Sequence, residues 1–402
     1  LFRSEQLHSY TIIDAIRDKN VLKFKVDYIS TMKAKSNIDD KKVWGIETEE
    51  ALASPQRIAN NVAYILEHYP QKTKQQQRYS YSVITNVAEV AKNNRTQEEK
   101  RKSQLGGFNS ILCVESIPMA MAYYKEFKRQ MEQRPEAERL RMATIFTYSA
   151  NEAEDDTGGF GNEDEGDAEE LDSTSREFLE SAIADYNGMF GTKYDTSSEK
   201  FQNYYKDLSL RMKNREVDLL VVVSMFLTGF DAKTLNTLWV DKNLRMHGLL
   251  QAYSRTNRIL NSIKDCGNIV CFRNLEDATN ESFALFGDKE AAGIVLMRPF
   301  EDYYYGYEDE KGKHVLGYKE IIEQLLDKYA LPINPADFSL EEKKDFVRLF
   351  GGVLKMQNLL SAFDEFTDDK VIISPFDVQD YLTWYNDIHD KLRKEKEGGE
   401  KE

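Results

Sequence analysis

The sequence has few cysteines and no long apolar run. Its three cysteines, Cys113, Cys266 and Cys271, lie in or beside strand-like apolar segments, and none belongs to a C-x-x-C pair. This pattern disfavours a metal site and predicts buried thiols in a reducing cytoplasm. No apolar stretch approaches the ~20 residues that span a bilayer, so no membrane segment is expected. The chain starts LFRSEQLHSY, without an initiator methionine or a cleavable signal, and we expect a fragment of a longer protein.

A phosphate loop is also missing. The pattern G-x-x-x-x-G-K-S/T does not occur anywhere in the sequence. P-loop hydrolases use that loop, together with a carboxylate at a strand end, to bind nucleotide phosphates and magnesium. The chain therefore lacks that half of such an active site.

The charges that are present are unevenly distributed. The chain has 402 residues, 41% of them hydrophobic and 31% charged, with a net charge of -15. These values are typical of a soluble globular protein of two or three domains. Residues 151–172 contain eleven Asp or Glu, several glycines and no Lys or Arg, which predicts a mobile acidic loop. Because so much of the negative charge lies there, the net charge does not exclude a nucleic-acid partner.

Apolar segments alternate with amphipathic ones along the first two thirds of the chain. Strands are predicted at 21–29, 110–114, 142–148, 219–223, 236–240 and 268–272, and helices at 118–131, 174–190 and 199–213. Residues 54–101 have a polar, helix-like pattern with two basic segments, interpreted as solvated helix faces. The alternation predicts a parallel sheet covered by helices over residues 1–285, and three- and four-residue spacing predicts a helical domain over 286–402.

Residues 218–260 carry the most specific signal. The predicted strand at 219–223 is followed by Thr228-Gly229-Phe230-Asp231, which we expect at the carboxyl edge of the sheet, where ligands bind in open α/β folds. A helix is then predicted to present Gln251, Arg255 and Arg258 on one face, because they are spaced by four and three residues. Two guanidinium groups and an amide form a multi-donor surface suited to polyphosphate oxygens.

The segments FLTGFDAKTLNTLWVDKNL and HGLLQAYSRTNRI resemble the second motor lobe of superfamily 2 helicases. They are most similar to the restriction (motor) subunit of type I restriction–modification enzymes. The resemblance implies a RecA-like lobe of the P-loop NTPase class followed by an all-α domain. It also implies ATP and Mg²⁺ bound mainly by a first lobe absent from this chain, cytoplasmic translocation of double-stranded DNA, and modification (methyltransferase) and specificity subunits as partners. The isolated chain is expected to lack ATPase and nuclease activity.

The same resemblance implies a role for each site residue. Arg258 would be the arginine finger and Arg255 a second phosphate or interlobe contact. Gln251, Gly229 and Asp231 would contact ATP, and Thr228 and Ser116 would contact DNA. No metal ligand is expected among them.

Simpler interpretations of these residues stay open. Ser116 or Asp231 could be a helix N-cap, and the two arginines could form surface ion pairs. Two other functions also remain for the whole chain: an assembly module that docks the motor onto the methyltransferase core, or the second lobe of another superfamily 2 DNA translocase.

Overall fold

The computed structural model of the chain describes residues 11–29, 52–93, 95–146, 173–285, 291–309 and 311–399. The predicted acidic loop at 151–172 lies outside these ranges. The chain forms two compact units, Leu1–Met297 and Arg298–Glu402. The sequence-based boundary at 285/286 therefore falls inside the first unit, and its functional meaning stays a prediction. Within the described ranges, no helix is long and apolar enough to cross a membrane.

The first unit is an α/β structure. Its strands are β1 (Phe24–Tyr28), β2 (Arg78–Ile84), β3 (Lys100–Gly106), β4 (Asn109–Val114), β5 (Met142–Ile145), β6 (Leu219–Val222), β7 (Leu235–Asp241) and β8 (Gly267–Cys271). Its helices are α1 (Ile12–Arg17), α2 (Pro55–Lys72), α3 (Val87–Lys92), α4 (Ile117–Glu132), α5 (Ser173–Phe190), α6 (Ser198–Lys213), α7 (Met246–Tyr253), α8 (Glu276–Leu285) and α9 (Ala291–Val295). A short 3-10 turn, Glu136–Glu138, precedes β5.

Six strands form one parallel sheet in the order β1-β8-β7-β4-β6-β5. All residues of β4, β6, β7 and β8 are buried, as expected for apolar, β-branched strands covered on both faces. The edge strand β1 keeps partly exposed residues. The sequence prediction of a RecA-like parallel sheet surrounded by helices is confirmed.

The helical prediction for residues 54–101 is correct for Pro55–Lys72 and Val87–Lys92 but wrong for Arg78–Ile84 and for the start of Lys100–Gly106. After α2, the chain forms β2 and β3, which pair antiparallel from Arg78 opposite Gly106 to Ile84 opposite Lys100. The sequence RYSYSVI alternates aromatic or aliphatic side chains with serine, and that period of two is typical of a strand. The basic residues of Lys100–Gly106 accordingly lie on a β-ribbon.

Two helices that cover the sheet begin in the same way. Ser54 and Ser116 each accept a hydrogen bond, 3.4 Å long, from a backbone N–H in the first turn of α2 and α4 respectively. A proline follows each serine within two residues, where its missing N–H costs no helical bond. The two helices pack against each other.

The second unit is mainly helical. It contains α10 (Phe300–Tyr305), α11 (Tyr318–Lys328), α12 (Leu340–Leu360) and α13 (Pro375–Gly399), with 3-10 turns Pro335–Asp337 and Asp368–Lys370. A two-stranded ribbon, β9 (Tyr307–Glu308) with β10 (His314–Val315), departs from the all-α prediction. Aromatic side chains fill its core, where Phe346 stacks on Phe350 at a 6.0 Å centroid distance and Tyr381 packs against both.

Candidate functional site

The segment 223–234 connects β6 to β7 and carries the predicted nucleotide contacts. Because β6 and β7 are parallel, this connection must run from the carboxyl edge of the sheet back to the amino edge. It ends with a turn in which the Leu235 N–H donates to the Ala232 carbonyl over 3.1 Å, just before β7 begins. Asp231 therefore lies at the amino edge, and its predicted position at the carboxyl edge was wrong.

Two aromatic side chains fix this connection against the core. Phe226 is 1% exposed and packs on Phe230 at a centroid distance of 4.7 Å. Phe226 adopts a positive φ of 67°, as does Gly229 at 66°, and such strain in a non-glycine residue is typical of functional loops. The Phe230 N–H donates to the Thr228 carbonyl over 2.7 Å, which closes a tight turn around Gly229. A Cβ added to Gly229 would meet no atom within 4 Å, so the turn presents open backbone.

The predicted arginine helix is shorter than expected. Helix α7 ends at Tyr253, so it contains Gln251 but neither Arg255 nor Arg258. Side chains donate hydrogen bonds to carbonyl groups in the last turn of α7. Arg255 Nε donates to the Gln251 carbonyl over 3.0 Å, and Thr256 Oγ1 donates to the Tyr253 carbonyl over 2.8 Å. Side chains that bond to the backbone in this way compete with a further helical turn. The single helical face predicted for the three residues was therefore wrong.

A turn nevertheless brings both arginines to the β6–β7 connection. Leu22 N–H donates to the Asn257 carbonyl over 2.8 Å, and Arg258 forms a β-bridge with Val21. Arg258 Nε then lies 3.2 Å from Asp231 Oδ1. Arg255 Nη1 donates to the Phe230 carbonyl over 2.5 Å. We call Gly229, Asp231, Arg255 and Arg258 the arginine cluster.

The cluster is cationic and open to solvent. The side chains of Arg258 and Asp231 are 45% and 56% exposed, so their ion pair contributes only about 0–1 kcal/mol. Burial and the neighbouring charge of Arg258 lower the pKa of Arg255, and Asp231 acts in the opposite direction. Because no helix follows Asp231, its helix N-cap interpretation was wrong. An anion that displaced Asp231 from Arg258 would disrupt little of the fold.

Lys264 holds the chain segment next to the arginine cluster in place. This role was not predicted from the sequence. Lys264 is 1% exposed, and its Nζ donates to the Lys233 and Leu235 carbonyls over 2.9 and 2.6 Å. Burial lowers its pKa to about 7. These two bonds join the segment before β8 to the start of β7. No period in the sequence distinguishes this lysine from a surface one, so only the fold reveals its role.

Ser116 lies away from the arginine cluster, at the carboxyl edge of β4. Its hydroxyl caps α4, as the simpler interpretation held, and a DNA contact stays a prediction. At the same edge, Asp241 accepts hydrogen bonds from Arg57, Tyr123 and Arg273 over 2.6 to 2.8 Å. This buried network was not predicted. It rigidifies the edge on which Ser116 lies.

The site could bind anions but offers little to a metal ion. Among the described residues, no three His, Cys, Asp or Glu side chains gather closely enough to hold one. The arginine cluster supplies guanidinium donors and exposed backbone at Gly229, without a carboxylate set for magnesium. It therefore resembles one wall of a phosphate site.

Sequence models of two protein families match the chain. The first, "Type I restriction enzyme subunit R domain 3", covers residues 106–274 and includes the arginine cluster. The second, "Type I restriction and modification enzyme - subunit R C terminal", covers residues 295–402. The two matches follow each other in the chain, and each describes part of the same subunit.

Curated relatives match nearly the whole chain. The SauCOLORF180P endonuclease subunit of a Staphylococcus aureus (strain COL) type I restriction enzyme is 33% identical over 396 residues. The corresponding SsaAORF53P subunit of Staphylococcus saprophyticus is 35% identical over 398. Each alignment covers 96% of this chain and 37% of the relative, so the chain spans little more than a third of their length.

A solved fragment of a putative HsdR subunit from Vibrio vulnificus YJ016 shows a weak likeness, with 12% identity and a TM-score of 0.33 over 71% of this chain and 38% of that one. The family matches and the curated relatives carry the assignment. The chain belongs to the HsdR (R subunit) family of type I restriction enzymes and corresponds to the C-terminal part of that subunit.

Proposed function

We propose that this chain supplies the second lobe of an ATP-dependent double-stranded DNA translocase, which closes on ATP held mainly by a first lobe outside this chain. One observation carries the proposal: Arg255 and Arg258 converge on the Gly229 turn from a separate segment. The surrounding hydrogen bonds fix the backbone of both segments, while the Arg258 side chain keeps only a weak, exposed partner. A fixed backbone with a weakly held side chain suits an arginine that must exchange the Asp231 carboxylate for a phosphate.

Each residue of the cluster has a distinct part in this proposal. Arg258 would exchange Asp231 for the γ-phosphate and stabilise the charge that develops during transfer. Arg255, held by the Phe230 carbonyl, would position the loop and contact a phosphate or the other lobe. Gln251 on α7, Gly229 and Asp231 would border the nucleotide. Magnesium, bound mainly by the first lobe, would neutralise phosphate charge.

DNA and the other subunits complete the proposal. Thr228 lies in the same turn as Gly229 and would couple a DNA contact to the nucleotide, while Ser116 would contact DNA at the opposite edge. Double-stranded DNA and the modification and specificity subunits are the proposed partners. Relatives described as endonuclease subunits support a part in restriction. The isolated 402-residue chain should hydrolyse no ATP.

The test is DNA-stimulated ATP hydrolysis by the natural full-length subunit in its complex, with Arg258→Ala compared to the unaltered protein. We expect kcat to fall about 10³-fold or more, because an arginine finger contributes about 10³–10⁵ in rate. Thermal stability should stay nearly unchanged, since only an exposed ion pair is lost.

Arg95→Ala is the matched control, because Arg95 is an exposed arginine of the same unit outside the cluster. It should leave kcat unchanged. Unaltered turnover in Arg258→Ala would refute the assigned role.

A further inference from the structure

A second cationic site lies at the amino edge of the sheet, between the β2–β3 ribbon and the starts of β5 and β6. It is an open recess of about 460 Å³ lined by four arginines, which are Arg78, Arg101, Arg141 and Arg215. That volume lies in the range of small-ligand sites. None of these arginines belongs to the arginine cluster. We call this cavity the ribbon recess.

Arg215 forms the floor of the ribbon recess. Its side chain is 4% exposed and pairs with Asp218, and its Nη2 donates to Gln75 Oε1 over 3.0 Å. Its Nε is buried and has no hydrogen-bond partner among the residues that the structure describes. An unsatisfied buried donor costs about 1–3 kcal/mol. Arg215 also adopts a positive φ of 65°, because it is the left-handed residue that ends α6, where the Glu216 N–H donates to the Arg211 carbonyl over 2.8 Å.

The two carboxylates that line the recess, Asp218 and Glu216, already have hydrogen-bonding partners within the protein. Asp218 binds Arg215 and, over 3.1 Å, Arg141. Burial alone would raise the pKa of Asp218, but these two arginines hold that pKa below its ordinary value. Glu216 instead accepts from Arg211 over 2.5 Å and from Asn214 over 2.7 Å.

Arg78 and Arg101 remain uncompensated. Both are exposed, and in the described part of the chain neither forms an ion pair with a carboxylate. The recess therefore carries excess positive charge that its own acids do not neutralise. It also holds one buried donor without an acceptor.

Glycines bring the ribbon close enough to form this site. A Cβ on Gly106 would lie 2.0 Å from Arg78 Nη1, and one on Gly107 would lie 2.8 Å from the Gln75 Cα. Gly107 also has a φ of 57°, which other residues rarely adopt. The Arg78 guanidinium thus lies directly over the backbone at the end of β3.

We propose that the ribbon recess binds the sugar–phosphate backbone of duplex DNA, with the exposed Arg78 and Arg101 contacting phosphate oxygens above the buried Arg215. The choice of duplex DNA as the ligand rests on the translocase function proposed above. Guanidinium groups are suited to bidentate bonds with phosphate. On the opposite face of β3, the exposed Lys102 adds positive charge near the recess, whereas Lys100 is paired with Glu98 over 2.8 Å. An extended polyanion fits this surface better than a single free nucleotide does.

The experiment measures binding of a fluorescein-labelled DNA duplex to the 402-residue chain by anisotropy, without ATP, over a series of salt concentrations. The variant is Arg78→Gln with Arg101→Gln, because both side chains are exposed and support no core contact. We expect affinity to fall about tenfold or more, and the slope of log affinity against log salt to decrease by about 2. Arg95→Gln is the control for lost charge outside the recess. Circular dichroism melting checks that each variant folds.

Two outcomes would overturn the proposal. The first is a double variant that binds the duplex as tightly as Arg95→Gln does. The second is loss of binding to a fluorescent ATP analogue with duplex affinity unchanged, which would assign the recess to free nucleotide. The DNA-binding test alters neither Arg255 nor Arg258, so a negative result would leave the proposed ATP role of the arginine cluster unaffected. Likewise, unchanged ATP hydrolysis in Arg258→Ala would not bear on DNA binding by the ribbon recess.

Discussion

At the scale of single residues, the buried charges depend on partners that are distant in sequence. Asp241 is fully buried and is held by Arg57 from α2, Tyr123 from α4 and Arg273 after β8. Removing one partner of a buried ion pair is strongly destabilising, because the remaining charge stays desolvated. The network therefore ties two helices to the carboxyl end of β7.

Asp241→Asn should lower the free energy of unfolding by about 3 kcal/mol at pH 7. Although burial alone would raise it, Arg57, Tyr123 and Arg273 hold the pKa of Asp241 below its ordinary value. The unfolded chain therefore takes up this proton first as the pH falls. The stabilisation is complete above about pH 4 and is lost as the pH falls through the folded pKa.

Urea unfolding of the unaltered chain and the Asn variant, from pH 7 down to pH 3, measures this difference. The difference in unfolding free energy between the unaltered chain and Asp241→Asn should become smaller below pH 4. Asp195→Asn, which removes an exposed pair with Lys200, should cost no more than about 1 kcal/mol. A gap that stays constant with pH would contradict the assigned ion pair.

Only some of the site residues could be predicted from the sequence. Spacing and resemblance selected Asp231, Arg255 and Arg258, and the fold brings these together. Spacing could not reveal Lys264, Arg215 or the Arg57–Asp241 pair, which spans 184 residues. Periodicity shows which face of an element is buried, but it does not identify a partner on another element.

At the scale of elements, a tight contact sets the position of the arginine turn. A Cβ on Gly267, the first residue of β8, would lie 2.4 Å from Thr256 Oγ1 and 3.3 Å from the Asn257 Cα. The absence of a side chain there lets the turn that carries Arg258 pack against the start of β8. Gly229, by contrast, has free space around it.

Gly267→Ala should therefore destabilise the chain by about 1–3 kcal/mol, as overpacking does, and displace Arg258. Gly229→Ala should cost only about 1 kcal/mol, for its positive φ. Chemical denaturation of both variants measures the contrast. Equal losses, or a larger loss for Gly229→Ala, would contradict this account of the turn.

Strands and helices differed in how well the sequence predicted them. The sheet strands were predicted because continuous apolar runs have few alternatives. The β2–β3 ribbon was missed because its basic and polar residues matched a solvated helix by composition, although their period of two favoured a strand. The end of α7 was missed because local side-chain bonds, from Arg255 to the Gln251 carbonyl and from Thr256 to that of Tyr253, stop the helix, and residue spacing does not reveal such bonds.

At the scale of the whole molecule, the helical unit retains an exposed apolar surface. Phe376 is 85% exposed, and Ile372 and Val371 on the preceding segment are 40% and 36% exposed. Exposed apolar patches of this kind commonly mark protein contacts. This observation favours the alternative that the sequence left open, in which the chain is an assembly module that docks the motor onto the methyltransferase core.

Phe376→Ser should weaken assembly of the full-length subunit with its modification and specificity subunits about tenfold or more, as loss of an aromatic anchor does. Its ATP-binding lobe should remain folded. Analytical ultracentrifugation of the reconstituted complex measures the change, with Thr383→Ala, on the same helix α13, as the control. Assembly equal to that of the control would rule out this surface as the docking site.

In the proposed motor, Arg258 contacts the transferring phosphoryl group. The most direct measurement is trapping of ADP with aluminium fluoride, a mimic of the transition state, by the full-length subunit in its complex with DNA. We predict that the unaltered protein forms the trapped complex and that Arg258→Ala does not, while both bind ATP with similar affinity. Equal trapping by the two proteins would show that Arg258 is not the arginine finger.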